Sequence, residues 1–206
     1  MRTGRMAGVV EAEDGQTDRL ERIEAALWSE LARAAVQPAH EWQHLTLATQ
    51  DDEHGPDART VVLREVQVDR HELMFYSDTR ASKIDQLRRQ PVAMVVCWSR
   101  ALSWQLRLRC RLQVATDGLH VTARWARLRH SPSAQDYLAP RAPGTVLLEG
   151  SQGHATPGRE CLGERRTRQH FAVLTAQVES VDWLELRPEG HRRARFDAGG
   201  ARWISP

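Results

Sequence analysis

Trp104-Gln105-Leu106-Arg107-Leu108-Arg109-Cys110-Arg111-Leu112-Gln113 is the stretch on which the fold turns. Apolar and polar residues alternate along it without a break. Successive side chains of a strand point to opposite faces, so Trp104, Leu106, Leu108, Cys110 and Leu112 share one face and Gln105, Arg107, Arg109, Arg111 and Gln113 the other. The pattern predicts a long antiparallel strand with one core face and one polar face. Just upstream, Val92 to Trp98 is a near-continuous apolar run, the pattern of a strand covered on both sides.

Working outward, Leu45 to Thr49 and Arg59 to Arg64 read as two strands of a hairpin joined by the turn-forming stretch Asp51 to Asp57. A third strand, Leu73 to Tyr76, ends in Ser77-Asp78-Thr79 and gives way to a helix from about Ala81 to Arg89, with Pro91 just beyond. At the N-terminal side, Leu20, Ile23, Ala26, Leu27, Leu31 and Ala34 recur at helical spacing, with Asp18 placed to cap the first turn. Residues 1–18 lack periodicity and read as an adaptable arm, so the expected division is an arm, 1–18, and one domain, 19–206. Helical composition returns between Leu119 and Leu138. Ala139 to Arg168, rich in Pro and Gly, reads as a long loop of the kind that contacts ligands or partners. Strand character resumes at Phe171 to Leu174 and Val181 to Leu184, then at His191 to Phe196 and in a last strand ending at Ile204. The fold class is therefore mainly β with flanking helices (α+β), antiparallel, and closure into a small barrel is favoured because it removes exposed sheet edges.

Composition narrows the function. With 206 residues, 41% of them apolar, the chain supports one sizeable core, and a net charge of +2 from 27% charged residues argues against a polyelectrolyte tail. No run approaches the roughly 18 apolar residues that span a bilayer, and the N-terminus leads into polar sequence, so a cytoplasmic protein without a membrane partner is expected. Cys97, Cys110 and Cys161 form neither a disulfide framework nor a paired metal motif, and the nine histidines lack ligand spacing, so no metal is expected. Glycine-rich dinucleotide, phosphate-loop, zinc-protease and nucleophile-elbow motifs are absent as well.

Three places carry candidate chemistry. Ser77-Asp78-Thr79-Arg80-Ala81-Ser82-Lys83 lies where a strand meets a helix, and unpaired N–H groups there, with the Ser82 hydroxyl and the Lys83 ammonium, make a phosphate-sized site. An ordinary N-cap with a solvated lysine is the alternative. Among 29 basic residues Lys83 is the single lysine. Arg59 and Arg64 flank Thr60-Val61-Val62-Leu63 and point to opposite faces, either as surface arginines or as anion clamps beside backbone that meets a planar heterocycle. Arg107, Arg109 and Arg111 share a face with Gln105 and repel one another unless acids, solvent or an anionic ligand lie opposite. Trp183, His191 and Arg193 surround the C-terminal hairpin, where an indole closes a pocket or an arginine reaches a ring or phosphate.

Taken in order, Arg59-Thr60-Val61-Val62-Leu63-Arg64, Phe75-Tyr76-Ser77 with Ser82-Lys83, Trp104-Gln105-Leu106-Arg107, and Trp183 followed by His191-Arg192-Arg193 resemble the signature of the pyridoxamine 5'-phosphate oxidase-like flavoproteins. Arg80 to Lys83 and Ala142-Pro143-Gly144-Thr145 are most similar to a bacterial and cyanobacterial branch of oxidase-related FMN-binding proteins. The resemblance implies a split β-barrel that forms a homodimer with FMN at the interface. It implies that Arg59, Ser82 and Lys83 hold the FMN phosphate with Tyr76 and Ser77 nearby, that Thr60, Val61, Val62 and Arg64 present the first motif to the ring, and that Gln105, Arg107, Trp183 and Arg193 complete the pocket. His191 is the one residue retained of the family's substrate pair. Arg64 stands where the true oxidases have lysine, and Glu189 where they have arginine, so pyridoxamine phosphate itself is not the expected substrate. The function implied is an FMN-dependent oxidoreductase working by hydride transfer at flavin N5. Two alternatives stay open: a non-catalytic FMN carrier or sensor on the same fold, and an arginine-rich nucleic-acid-binding barrel, against which the near-neutral net charge argues.

Overall fold

The computed structural model describes residues 4–147 and 168–206, with side chains from residue 19 onward. The elements, in order, are α1 (Gly4–Val36), β1 (His44–Asp51), β2 (Gly55–Gln67), β3 (Glu72–Asp78), α2 (Ser82–Arg89), β4 (Val92–Ser99), β5 (Trp104–Ala115), α3 (Leu119–Leu128), β6 (Phe171–Glu185), β7 (Arg192–Asp197) and β8 (Gly200–Ile204). The sheet order is β3-β2-β1-β4-β5-β6-β7-β8, and β3 also pairs with β6. That extra pairing closes β1 to β6 into an antiparallel barrel. β6 is long enough to do two jobs: Phe171 to Gln177 pair with β3, and Ser180 to Glu185 turn away to pair with β7. Irregularities at Leu63/Glu65 and at Arg109/Cys110 bend β2 and β5 where the wall must curve.

The alternation read in β5 is realised: Leu106, Leu108, Cys110 and Leu112 are buried while Arg107, Arg109, Arg111 and Gln113 are exposed. The barrel interior also takes Leu45, Leu47, Val61, Leu63, Leu73, Phe75, Val95, Cys97, Leu174 and Val181, and one face of α1, from Leu20 through Leu27, Trp28, Leu31 and Ala34, packs onto it. A second cluster lies outside the barrel, where Val121, Trp125 and Leu128 of α3 join Ala134, Tyr137, Phe171 and Val173. It explains the unbroken apolar run at the start of β6: Ala172 and Leu174 face the barrel, and Phe171 and Val173 face α3.

Three expectations change. The helix α1 starts at Gly4, so Asp18 lies within it and is not its cap. The helix expected over 119–138 breaks into α3 and a separate 3-10 turn, Pro132–Tyr137, because Pro132 cannot continue an α-helix from the preceding turn. The strand character read from Phe171 on to Leu184 is a single long strand, β6. The run Val92 to Trp98 is buried only on its Ala93, Val95 and Cys97 side; Met94 and Val96 are half-exposed, and Trp98 is 45% exposed. Most of the loop expected over 139–168, with Cys161, lies outside the described residues. No helix among the described residues is long and apolar enough to cross a membrane.

Candidate functional site

β3 ends at Asp78, and the chain makes a tight connection before α2 begins. Asp78 organises it: its carboxylate accepts from the Arg80 backbone N–H at 2.8 Å and from the Arg80 guanidinium at 2.9 and 2.6 Å. Burial alone would raise the Asp78 pKa, but the Arg80 bonds hold it below the usual carboxylate range. Arg80 reaches on to the carbonyls of Ala139 and Pro140, tying the segment after the second cluster to this loop. The N-cap of α2 is Ala81, which offers no side-chain acceptor, so the first N–H groups of the helix stay available, and the helix dipole favours an anion there. Lys83, in the first turn, is half-buried and makes no hydrogen bond or ion pair among the described residues. Desolvation, then the nearby Arg59 charge, push its pKa down, with Asp78 and Asp57 acting against them.

Arg59 approaches this loop from β2, but it is not a free cation. Nη1 donates to the Leu47 carbonyl at 3.3 Å and to Thr49 Oγ1 at 2.5 Å, while Nη2 donates to Gln86 Oε1 at 3.0 Å and to the Asp57 carboxylate. Thr49, Asp57, Asp51 and Gln86 therefore belong to the site, although the sequence reading singled out none of them. The signal was there in part, since hairpin register sets Thr49 directly opposite Asp57.

A second group of candidates meets on the outside of the sheet. Ladder partners run Thr60, Thr46, Val96, Arg107, Asp182, Arg195, Arg202 across seven neighbouring strands, and the adjacent rows carry Val62 opposite His44, and Trp98, Gln105, Leu184, Arg193. Thr60, Val62, Gln105, Arg107 and Arg193 thus share one continuous outer face. Its arginines are answered by acids: Asp182 takes both Nε and Nη2 of Arg193, at 2.9 and 2.6 Å, and lies 3.7 Å from Arg107, while Glu179 serves Arg109 and Arg111 at 3.5 and 3.1 Å. The repulsion expected among the β5 arginines is thereby relieved within the chain.

Other candidates lie elsewhere. Val61 is buried in the barrel, and only its backbone faces the site side. Ser77 is buried, its hydroxyl donating to the Asp78 carbonyl at 3.2 Å, so it does not reach the α2 loop as an anion ligand. Tyr76 donates to Glu65 at 3.0 Å and packs edge-on against Phe171, and Arg64 lies 5.7 Å above its ring. Burial, then the Glu65 charge, push the Tyr76 hydroxyl pKa up. Both residues border the second apolar cluster and are remote from the Arg59 network in their contacts. Trp183 is fully buried, edge-on to Trp104 at 5.4 Å and to Trp203 at 6.3 Å, so in this chain it supports the floor beneath the outer face and cannot stack on a ligand there. Arg193, which pairs with Leu184 next to it, lies on the outer face. His191 is exposed, with Nδ1 accepting from the Arg187 N–H at 3.2 Å, and it lines a shallow cleft of about 280 Å³ with Arg19, Arg192, Arg193 and Trp203. Glu189 leans toward Arg187 at 3.6 Å.

A closed antiparallel barrel with one strand splitting off to form a further hairpin is the split-barrel architecture. Residues 25–116 match the family model "Pyridoxamine 5'-phosphate oxidase, FMN-binding domain", and the fold is that of the pyridoxamine 5'-phosphate oxidase-like split barrels. It is 28% identical over 186 residues to a pyridoxine/pyridoxamine 5'-phosphate oxidase of Caulobacter vibrioides, covering 87% of this chain and 82% of that one. Among solved structures, an FMN-binding, oxidase-related protein of Nostoc punctiforme superposes with a TM-score of 0.65 at 25% identity, over 88% of this chain and 95% of that one. PhzG of Burkholderia lata, solved with tetrahydrophenazine-1-carboxylic acid, shares the fold at a TM-score of 0.70 and 16% identity, over 88% and 91% of the two chains.

Proposed function

We propose that the protein binds FMN and acts as an FMN-dependent oxidoreductase. The observation that carries this reading is Lys83: a half-buried side chain with no hydrogen-bond or ion-pair partner among the described residues, at an uncapped helix start and beside a fixed arginine. Partial desolvation disfavours this charge, and a phosphate monoester would restore its balance with the charge, size and acceptor count this donor set suits. Lys83, the Ser82 hydroxyl and the first N–H groups of α2 would hold the phosphate, with Arg59 supplying positive potential and its remaining Nε–H. Thr60, the Val61 and Val62 backbone, Gln105 and Arg107 would border the ring on the outer face; the Gln105 amide both donates and accepts, which suits a heterocyclic carbonyl and ring nitrogen. Bound FMN would supply hydride acceptance at flavin N5. The protein's part is to orient, to exclude water and to set the field through Arg107, Asp182 and Arg193.

β4 supports a partnership between two copies. Met94, Val96 and Trp98 leave an apolar strip on the outer face beside Val62 and Ala48, and a second copy of the chain would cover it, placing two ring sites along one two-fold seam. Arg193 would then serve its own ring site or the partner's. The substrate is not a phosphorylated pyridoxamine in this reading, because Arg64 is engaged with the second aromatic cluster and Glu189 places negative charge two residues before His191. Sedimentation of flavin-loaded protein, with turnover assays using reduced nicotinamide nucleotides, amines and dioxygen, tests the proposal. A yellow dimer that passes electrons supports it. A yellow dimer inert to every donor would convert it to the carrier or sensor reading, and a flavin-loaded monomer would remove the shared seam.

A further inference from the structure

Gln86 is 2% exposed, and it is a polar side chain on the buried side of a helix whose other inward residues are Ile84 and Leu87. An amide in that position is tolerated only when it is hydrogen-bonded, and this one uses its whole capacity. Oε1 accepts from Thr49 Oγ1 at 2.6 Å and from Arg59 Nη2 at 3.0 Å; Nε2 donates to Asp51 at 3.1 Å and to Asp57 at 2.9 Å. The two ends of the group are thus sorted by charge, oxygen to the guanidinium and nitrogen to the two carboxylates. A hydrocarbon would satisfy neither side, and a carboxylate would face two others.

The sorting has a consequence at Lys83. The Asp57 carboxylate is held by Gln86 and Arg59, and its charge is felt at Lys83, so an Asp57 freed of these bonds would be a competitor for the ammonium that an incoming phosphate would use. The Gln86 bond is the largest influence holding the Asp57 carboxyl in its ionised form, ahead of Arg59, and Gln86 also holds Asp51 down, second to the backbone N–H of His54. With Gln86 present, both carboxylates are bonded to its amide, at 3.1 Å for Asp51 and 2.9 Å for Asp57. We propose that Gln86 is a positioning residue for the anion site: its amide restrains Asp57 and Asp51 and fixes Arg59, leaving Lys83 free for a phosphate monoester. The inference rests on the FMN reading and names the internal competitor that reading must overcome.

The test compares the affinity of the full-length protein for FMN and for riboflavin, which lacks only the phosphate, in wild type, Gln86→Leu, Thr49→Val and the double variant Gln86→Leu/Asp57→Asn. Gln86→Leu is expected to weaken FMN roughly tenfold and riboflavin by less than about twofold. Thr49→Val, the milder change should Gln86→Leu fold poorly, is expected to shift FMN alone, by about threefold. Neutralising Asp57 in the double variant should return most of the lost FMN affinity, a rescue that a merely structural role would not produce. Equal losses for both flavins, or no rescue by Asp57→Asn, would overturn the inference while leaving FMN binding intact. A wild type that binds FMN no better than riboflavin would overturn the phosphate placement itself.

Discussion

Replacing Lys83 with Met separates binding from folding, and the structure sets the size of both effects. Methionine keeps the unbranched stem that packs at the start of α2 and removes only the ammonium. In the unliganded protein that ammonium has no hydrogen-bond or ion-pair partner among the described residues, so its loss leaves nothing orphaned. Its lowered pKa, caused first by desolvation, means that folding works against its charge, and the variant should be no less stable than wild type in urea denaturation. With FMN bound, one charge-assisted contact to the phosphate is lost, about 1.5–3 kcal/mol, or roughly a ten- to hundredfold weaker Kd. The helix N–H groups and Arg59 remain, so binding is weakened and not abolished. Quenching of flavin fluorescence in a titration near neutral pH reads this directly, with riboflavin as the control that should not change. The pH dependence has a definite sign. The free site loses the Lys83 proton at a lower pH than an ordinary lysine does, and the phosphate prefers the charged form, so wild-type FMN affinity should fall as pH rises through that lowered pKa. The curve for Lys83→Met should be flat over the same range. Unchanged FMN affinity in the variant, or equal loss of riboflavin, would refute the reasoning.

Arg59→Ala should behave differently, because Leu47 O, Thr49, Asp57 and Gln86 all lose a donor; a loss of about 1–3 kcal/mol in denaturant unfolding is expected along with weaker FMN binding, and full stability would show the network to be idle. Trp183→Ala should cost about 3–5 kcal/mol as a core truncation, and a stable variant with selectively impaired flavin binding would instead restore the pocket role. Acid should unfold the protein in a particular window. Asp57, Asp78 and Asp197 have folded pKa values held below the ordinary carboxylate value, that of Asp197 at about 2 by Arg202, so their contribution is present above the unfolded value and lost as pH falls through the folded ones. Urea midpoints should be level down to about pH 5 and then decline below about pH 4; midpoints unchanged to pH 2 would contradict these pairings.

Much of the barrel was legible because strand alternation is a local signal. β5 announces its two faces residue by residue, and the hairpin of β1 and β2 follows from its turn composition. β4 misled because an apolar outer face reads the same whether it is covered within the chain or by another copy, and here Trp98 remains uncovered in the single chain. The break after α3 came from Pro132, whose effect on a helix is local but whose replacement by a 3-10 turn depends on packing against Phe171. At the site, position along the chain located Lys83 and Arg59 but not their charge balance. Arg59 looked like a free clamp because its counter-groups, Gln86 and Thr49, arrive from α2 and β1, distances no spacing rule reports. Trp183 reads as a pocket-closing ring in the sequence because an indole's burial is set by Trp104 and Trp203 from other strands. Asp182 was missed for the same reason: it meets Arg193 and Arg107 only through the register of three strands.

The central claim is that this barrel carries FMN, held by its phosphate at the start of α2. Purified protein should be incubated with FMN, freed of excess by gel filtration, and its visible absorption compared with its protein content. The account predicts a flavin spectrum with one FMN retained per chain; protein that elutes colourless would contradict it.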